Sequence, residues 1–160
     1  MDKLLEILSQ NSDFTNEELA SMLNEPEDYI AAQIKEYHSR GIIKGYHATI
    51  NWEKVSDADV TAIIELKVTP KPESGFDEMA KRVMEYSEVK SVYLMAGSYD
   101  FAIFVEGSTI QEVSAFVSKK LSALDGVIST ATHFMLKCYK EHGVPLVDFG
   151  EDTDKRSLIL

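Results

Sequence analysis

Hydrophobic positions recur with a helical period up to about residue 40 and change spacing after it. Leu4, Leu5, Ile7 and Leu8 mark one side of a first helix. Thr15 then precedes Asn16-Glu17-Glu18-Leu19. In this T-x-x-E pattern a threonine hydroxyl and a glutamate three residues on satisfy each other's free backbone N–H groups. It predicts a second helix carrying Leu19, Ala20, Met22 and Leu23. Asn24 suits the left-handed turn that ends a helix, and Pro26 with Glu27 and Asp28 suits the start of the next. Ile30, Ile34 and Tyr37 repeat at i, i+4 and i+7, so the third helix has one buried stripe, and Gly41 stops it. Residues 42–50, IIKGYHATI, read as two short strands about Gly45. Three short helices, about three or four residues between the second and third, and a small β-wing make the plan of a winged helix-turn-helix. A three-helix cluster with no role in DNA binding has the same pattern.

Residues 51–59, NWEKVSDAD, are polar apart from Trp52 and Val55 and read as a connector. From Val60 the order becomes β, α, β, β, α, β. Val60 to Val68 alternates as a strand, with Ile64, Leu66 and Val68 on one face and Ile63, Glu65 and Lys67 on the other. Phe76, Met79, Ala80 and Val83 give an amphipathic helix. Val89 to Ala96 and Asp100 to Glu106 are strands joined by the turn Gly97-Ser98-Tyr99-Asp100. Ile110, Val113, Val117, Leu121 and Leu124 line a second helix. Val127 to Tyr139 is a long strand, with Ile128, Thr130, Thr132, Phe134 and Leu136 on one face. Two βαβ-like halves joined by a hairpin make a ferredoxin-like sheet with both helices on one face. The other face, with Ile63, Tyr93 and Met95, is too apolar for open water, which predicts a dimer packed sheet to sheet. The fold class is therefore α+β: a winged helix-turn-helix over 1–50, a linker over 51–59, a ferredoxin-like βαββαβ domain over 60–142, and an extension over 143–160.

Composition narrows the partners. Apolar residues make up 44% of the 160, as in a folded globular chain. No apolar run is long enough to span a membrane, and the first residues do not resemble a signal peptide. One cysteine, Cys138, suits a reducing compartment, and the expected location is cytoplasmic. The net charge of −11 opposes non-specific adhesion to nucleic acid or anionic membrane.

Little points to catalysis. Cys138 alternates with Leu136 and reads as a small packed residue. His38, His47, His133 and His142 are scattered without metal-ligand spacing, and no phosphate-binding glycine motif occurs. No cofactor, metal or catalytic residue is expected. The turn at 97–100 has two open readings: glycine and aspartate that simply turn the chain, or backbone N–H groups and a carboxylate offered to a small ligand.

Three stretches, taken together, resemble the Lrp/AsnC family of feast/famine transcription regulators. EELASMLNEPEDYIAAQIKEY (17–37) is similar to the family's helix-turn-helix. RGIIKGYHATIN (40–51) is similar to its wing and exit, and AGSYDFAIFV (96–105) to its G-x-Y-D turn and following strand. The resemblance covers roughly 1–142. It implies dimers formed through the sheet, often assembled further into octamers, with small effectors, usually amino acids, bound between effector domains. It also implies an effector set of Gly97, Ser98, Tyr99 and Asp100, joined by Thr130 and Thr132 from the last strand. Asp100 would pair with the effector's ammonium group and the turn amides with its carboxylate.

On the DNA side, Gln33 stands where the family commonly has arginine, and Glu25, Glu27 and Asp28 crowd the start of the third helix. Through residue 54 the chain has five basic and ten acidic side chains, a net of −5. Gln33 reading adenine, Tyr29 reaching a phosphate, and Lys35, Arg40 and Lys44 flanking the groove form the candidate contact set. So few phosphate contacts predict weak binding per site that depends on avidity between tethered copies. The expected function is a DNA-binding regulator responding to a small metabolite. The alternative is an oligomeric small-molecule-binding module that no longer reads DNA.

Overall fold

The first helix, α1 (Lys3–Gln10), starts where Asp2 accepts hydrogen bonds from the N–H groups of Leu4 and Leu5, at 3.0 and 3.3 Å. The second, α2 (Asn16–Leu23), opens with the complete capping box. The Glu18 N–H donates to the Thr15 hydroxyl at 3.2 Å, and the Thr15 N–H donates to the Glu18 carboxylate at 2.8 Å. Asn24, at φ 54°, ends it in the left-handed conformation. Asn24, Glu25 and Pro26 then separate it from α3 (Glu27–Ser39). Gly41, at φ +67°, closes α3, with the Ile42 N–H reaching back to the Tyr37 carbonyl at 2.8 Å. Leu4, Leu19, Ala20, Ile30 and Tyr37 form the core of these three helices.

This computed structural model describes residues 2–55, 59–71, 73 and 75–149; the expectations for 56–58 of the connector and for the tail from 150 onward lie outside the described residues. Residues 2–50 and 139–149 form one unit, and 51–138 form another.

The strand pair expected about Gly45 is not formed: residues 43–51 contain no strand. Arms of about four residues in a lone hairpin do not repay the entropy of ordering them. A side-chain contact holds the segment to α3 instead, with His38 Nε2 3.2 Å from the Tyr46 hydroxyl and the rings edge to face at 5.6 Å. The short hairpin of this unit lies elsewhere, in β5 (Lys140–Glu141) and β6 (Val144–Pro145). His142 and Gly143, both at positive φ, supply its two-residue turn. Position 143 is thus inside a hairpin, where a tail without period was expected to begin.

The second unit contains β1 (Val60–Val68), α4 (Asp77–Met84), β2 (Val89–Leu94), β3 (Phe101–Gly107), α5 (Ile110–Phe116) with a π-helical turn (Val117–Leu121), and β4 (Val127–Phe134). This is the expected βαββαβ order. The sheet runs β2-β3-β1-β4 and every pairing is antiparallel. Ile64, Leu66 and Val68 of β1 and Phe101, Ile103 and Val105 of β3 pack against Met79 and Val83 of α4 and Val113, Phe116 and Leu121 of α5.

Three expectations in this unit are corrected. The last strand ends at Phe134, not Tyr139, because β4 pairs with β1 and β1 starts at Val60. Phe134 faces Ala62, and the ladder finishes with the Met135 N–H on the Thr61 carbonyl. Leu136, expected beside Phe134, is 96% exposed, and Cys138 is half-buried outside any strand. Ile128 is also exposed. A bulge between Lys67 and Val68 shifts the register, and Ile128 drops out of the face that Thr130, Thr132 and Phe134 share. Ile110, placed on the buried side of α5, is 51% exposed at the helix's first turn.

The face turned away from the helices carries Ile63, Glu65 and Lys67 of β1. In register beside them stand Ala102 and Phe104 of β3, Tyr93 of β2, and Ala131 and His133 of β4. Tyr93 is 53% exposed and meets Phe104 edge to face at 5.9 Å, and His133 Nε2 lies 3.2 Å from a Glu65 carboxylate oxygen. No helix among the described residues is long and apolar enough to cross a membrane.

Candidate functional site

The turn between β2 and β3 is held at both ends by backbone. The Met95 N–H donates to the Asp100 carbonyl at 2.8 Å, and the Asp100 N–H donates to the Leu66 carbonyl at 3.0 Å. Asp100 does more than turn the chain. Its Oδ2 accepts from the Val68 N–H at 2.8 Å, so a side chain replaces the next ladder bond where β1 runs past the start of β3. Val68 is buried, and its N–H has no water to fall back on. This strand-capping role is what the sequence reading missed. Its signal is an aspartate one residue before a buried strand, but that signal cannot name a partner 32 residues away.

The remaining groups of the turn are free. Asp100 Oδ1 and the N–H groups of Gly97, Ser98 and Tyr99 have no hydrogen-bond partner among the described residues. Three backbone donors and one anchored carboxylate within four residues match the two ends of a zwitterion. Gly97 and Ser98 are exposed, while Tyr99 and Asp100 are half-buried.

Thr130 and Thr132 do not join the turn directly. They stand opposite Leu66 and Ile64, on the face the helices cover, and the Thr130 hydroxyl lies 3.4 Å from that of Ser122. Since β1 separates β3 from β4, Thr130 is about 10 Å across the sheet from the β3 entry, at roughly 4.8 Å per strand.

The DNA-facing candidates divide. At about 100° per residue, Tyr29, Gln33 and Arg40 share one side of α3, and Lys35 stands roughly 120–160° round from them. Tyr29 is 50% exposed and Gln33 half-buried. Glu36 falls among them and ion-pairs with Arg40 at 2.9 Å, which offsets that cation locally. An acid four residues before a base on a helix is legible in the sequence as such a pair, and the pairing draws the cation away from phosphate. Lys44 is exposed, with its Nζ over Gly41.

Two groups bind α1 to α3: the Tyr37 hydroxyl donates to the Asp2 carboxylate. That bond and burial hold the Tyr37 proton up to about pKa 12, and the same bond holds the Asp2 carboxyl below its ordinary value. No group of three or more His, Cys, Asp or Glu side chains among the described residues is placed to hold a metal.

The family model for the Lrp/AsnC ligand binding domain matches residues 61–145. The uncharacterized HTH-type transcriptional regulator YugG of Bacillus subtilis is 44% identical over 98% of this chain and 94% of its own. The proline dehydrogenase transcriptional activator of Rhizobium radiobacter is 26% identical over 89% of this chain and 90% of its own. Among solved structures, a Neisseria meningitidis transcriptional regulator in complex with L-methionine is similar with a TM-score of 0.69 at 24% identity, covering 87% of this chain and 89% of that one. A feast or famine regulatory protein from M. tuberculosis, complexed with L-methionine, has a TM-score of 0.69 at 22% identity over 86% of this chain and 90% of that one. These two likenesses establish the fold. Members of the family are transcription regulators, not enzymes, that couple a DNA-binding helix-turn-helix to a ligand-binding domain. The chain belongs to the Lrp/AsnC family of helix-turn-helix transcriptional regulators.

Proposed function

We propose that this regulator senses an amino acid at the 97–100 turn of an assembly of its effector domains. One observation carries the reading: an anchored carboxylate with a free oxygen beside three free backbone N–H groups. Asp100 Oδ1 would take the ammonium group, and the amides of Gly97, Ser98 and Tyr99 the carboxylate. Thr130 and Thr132 would reach the ligand only from a neighbouring chain, since within one chain they lie under the helices and a strand away. The partly apolar open face of the sheet supports a homodimer packed face to face, with larger assemblies built from it. Ligand bound between chains would bias the arrangement of dimers, and so the spacing of the DNA-reading helices. The calorimetric test titrates each proteinogenic amino acid into wild type and Asp100→Asn. Loss of an Asp100-dependent component of that binding in a variant that still folds supports the site; isotherms that Asp100→Asn leaves unchanged, or no binding of any amino acid at about 10 mM, refute it.

The DNA half is proposed to bind weakly per site through Tyr29, Gln33, Arg40 and Lys44, with Lys35 reaching only a separate strand of phosphates. The Glu36–Arg40 pair favours the second reading, an oligomeric sensor that no longer reads DNA. Selection of genomic fragments at about 100 mM salt separates the two. A shared sequence enriched by wild type and lost in Gln33→Ala supports the regulator, and no enrichment supports the DNA-free module.

A further inference from the structure

Between α5 and the outer end of β3, the end away from the 97–100 turn, lies a cavity of about 280 Å³. Its floor is apolar, made by Val105 of β3 and by Val113 and Phe116 of α5, all buried. Its rim is charged with both signs: Glu106 and Glu112 on the strand and helix-start side, Lys119 on the other. Several rim charges are already committed. Glu112 Oε2 accepts the Ser108 N–H at 2.9 Å, and Glu106 stands 3.5 Å from Lys90. Lys120 is bonded to Glu88 and lies 5.5 Å over the rings of Tyr86 and Phe116. Lys119 has no ion-pair partner among the described residues.

The backbone is also irregular here. The helix widens into a π-turn over Val117–Leu121, with the Ser122 N–H reaching five residues back to the Val117 carbonyl at 2.8 Å. Such turns are rare, and they concentrate at functional sites. This one carries Lys119 and Lys120 to the cavity's edge.

We infer that this cavity is a second small-molecule site, independent of the 97–100 turn, and that it takes a zwitterionic amino acid with an apolar side chain. Lys119 meets the ligand carboxylate, the second Glu112 carboxylate oxygen, not the one bonded to Ser108, meets its ammonium, and the side chain lies on Val105, Val113 and Phe116. The volume is just under the roughly 300–1,000 Å³ of drug-sized pockets, which suits a small metabolite. Charges of both signs across an apolar floor favour a zwitterion over a fatty acid or an amine.

The test is calorimetric titration of the full chain in an Asp100→Asn background, which removes the charge at the turn. The probes are L-leucine, L-methionine and L-phenylalanine, with 4-methylpentanoate and 3-methylbutylamine as single-charge analogues of leucine. Roughly millimolar or tighter binding of at least one amino acid is expected, with each leucine analogue weaker than leucine by about tenfold or more. Lys119→Glu, an exposed change that leaves the fold intact, and Ala115→Trp, which fills the cavity, should each weaken that binding by about tenfold or more. Three results overturn the inference: no amino-acid binding in the Asp100→Asn background, binding indifferent to Lys119→Glu, or a single-charge analogue that matches leucine. Binding present in wild type and lost on Asp100→Asn would leave the turn reading standing while sinking this one.

Discussion

Replacing Asp100 separates its structural role from its proposed ligand role. In Asp100→Ala the Val68 N–H, buried at the end of β1, loses the carboxylate oxygen 2.8 Å away and has nothing in exchange. A hydrogen bond to a charged group contributes about 1.5–3 kcal/mol, and Asp100 is half-buried, so a loss of about 2 kcal/mol is expected. For a unit spanning 51–138, at about 4–8 °C per kcal/mol, that lowers Tm by roughly 8–16 °C. Asp100→Asn keeps a carbonyl oxygen for the Val68 N–H and gives up only the charge. Its cost should be about 1 kcal/mol or less, while its amino-acid binding falls as far as that of the alanine variant. The assay is thermal and urea unfolding of wild type and both variants at one fixed protein concentration, because assembly itself shifts Tm. If Asp100→Ala melts within about 2 °C of wild type, the capping bond does not support β1 and the reasoning fails. If asparagine costs as much as alanine, charge and not the bond sets the stability.

Three further outcomes follow from the geometry. Tyr37 keeps its proton in the folded state to about pKa 12 against an ordinary 10.0, so its bond to Asp2 contributes fully below pH 10 and is lost as pH rises from 10 to 12. Tyr37→Phe should therefore be less stable than wild type at pH 8 by about 1 kcal/mol, and the gap in urea unfolding should close through that window; a gap that persists at pH 12 would refute the assignment. Gly41→Ala should cost about 1–2 kcal/mol, since φ +67° is unfavourable for any residue with a Cβ and the flexible end of Lys44 must move aside; equal urea midpoints would show that the helix end relaxes instead. Glu36→Gln frees Arg40 and removes a negative charge from the exposed side of α3. Anisotropy titrations with duplex DNA should show tighter binding and a log–log salt slope steeper by about 1, and an unchanged slope would remove Arg40 from the contact set.

Local chemistry was readable from the chain because its causes sit within a few residues. Thr15 and Glu18 specify a helix start by reaching each other's backbone, and Asn24 and Gly41 specify helix ends by tolerating positive φ. The alternation in β1 likewise separated Ile64, Leu66 and Val68 from Ile63, Glu65 and Lys67 before any fold was known. What failed depended on a distant partner. IIKGYHATI has the residues of two strands, but a strand exists only where another pairs with it. The last strand stops at Phe134 for the same reason: its neighbour in the sheet begins at Val60. Thr130 shares a face with Thr132 and Phe134, as its alternation predicts, but only the strand order and register show that β1 separates it from the 97–100 turn of its own chain. Asp100 read as a turn residue or a ligand contact, and tertiary structure made it the cap of a strand 32 residues away. Short-range order follows from the sequence alone because few conformations compete over one turn of chain. Pairing, register and the sites they assemble follow only from the fold, which chooses among many distant partners of equal local merit.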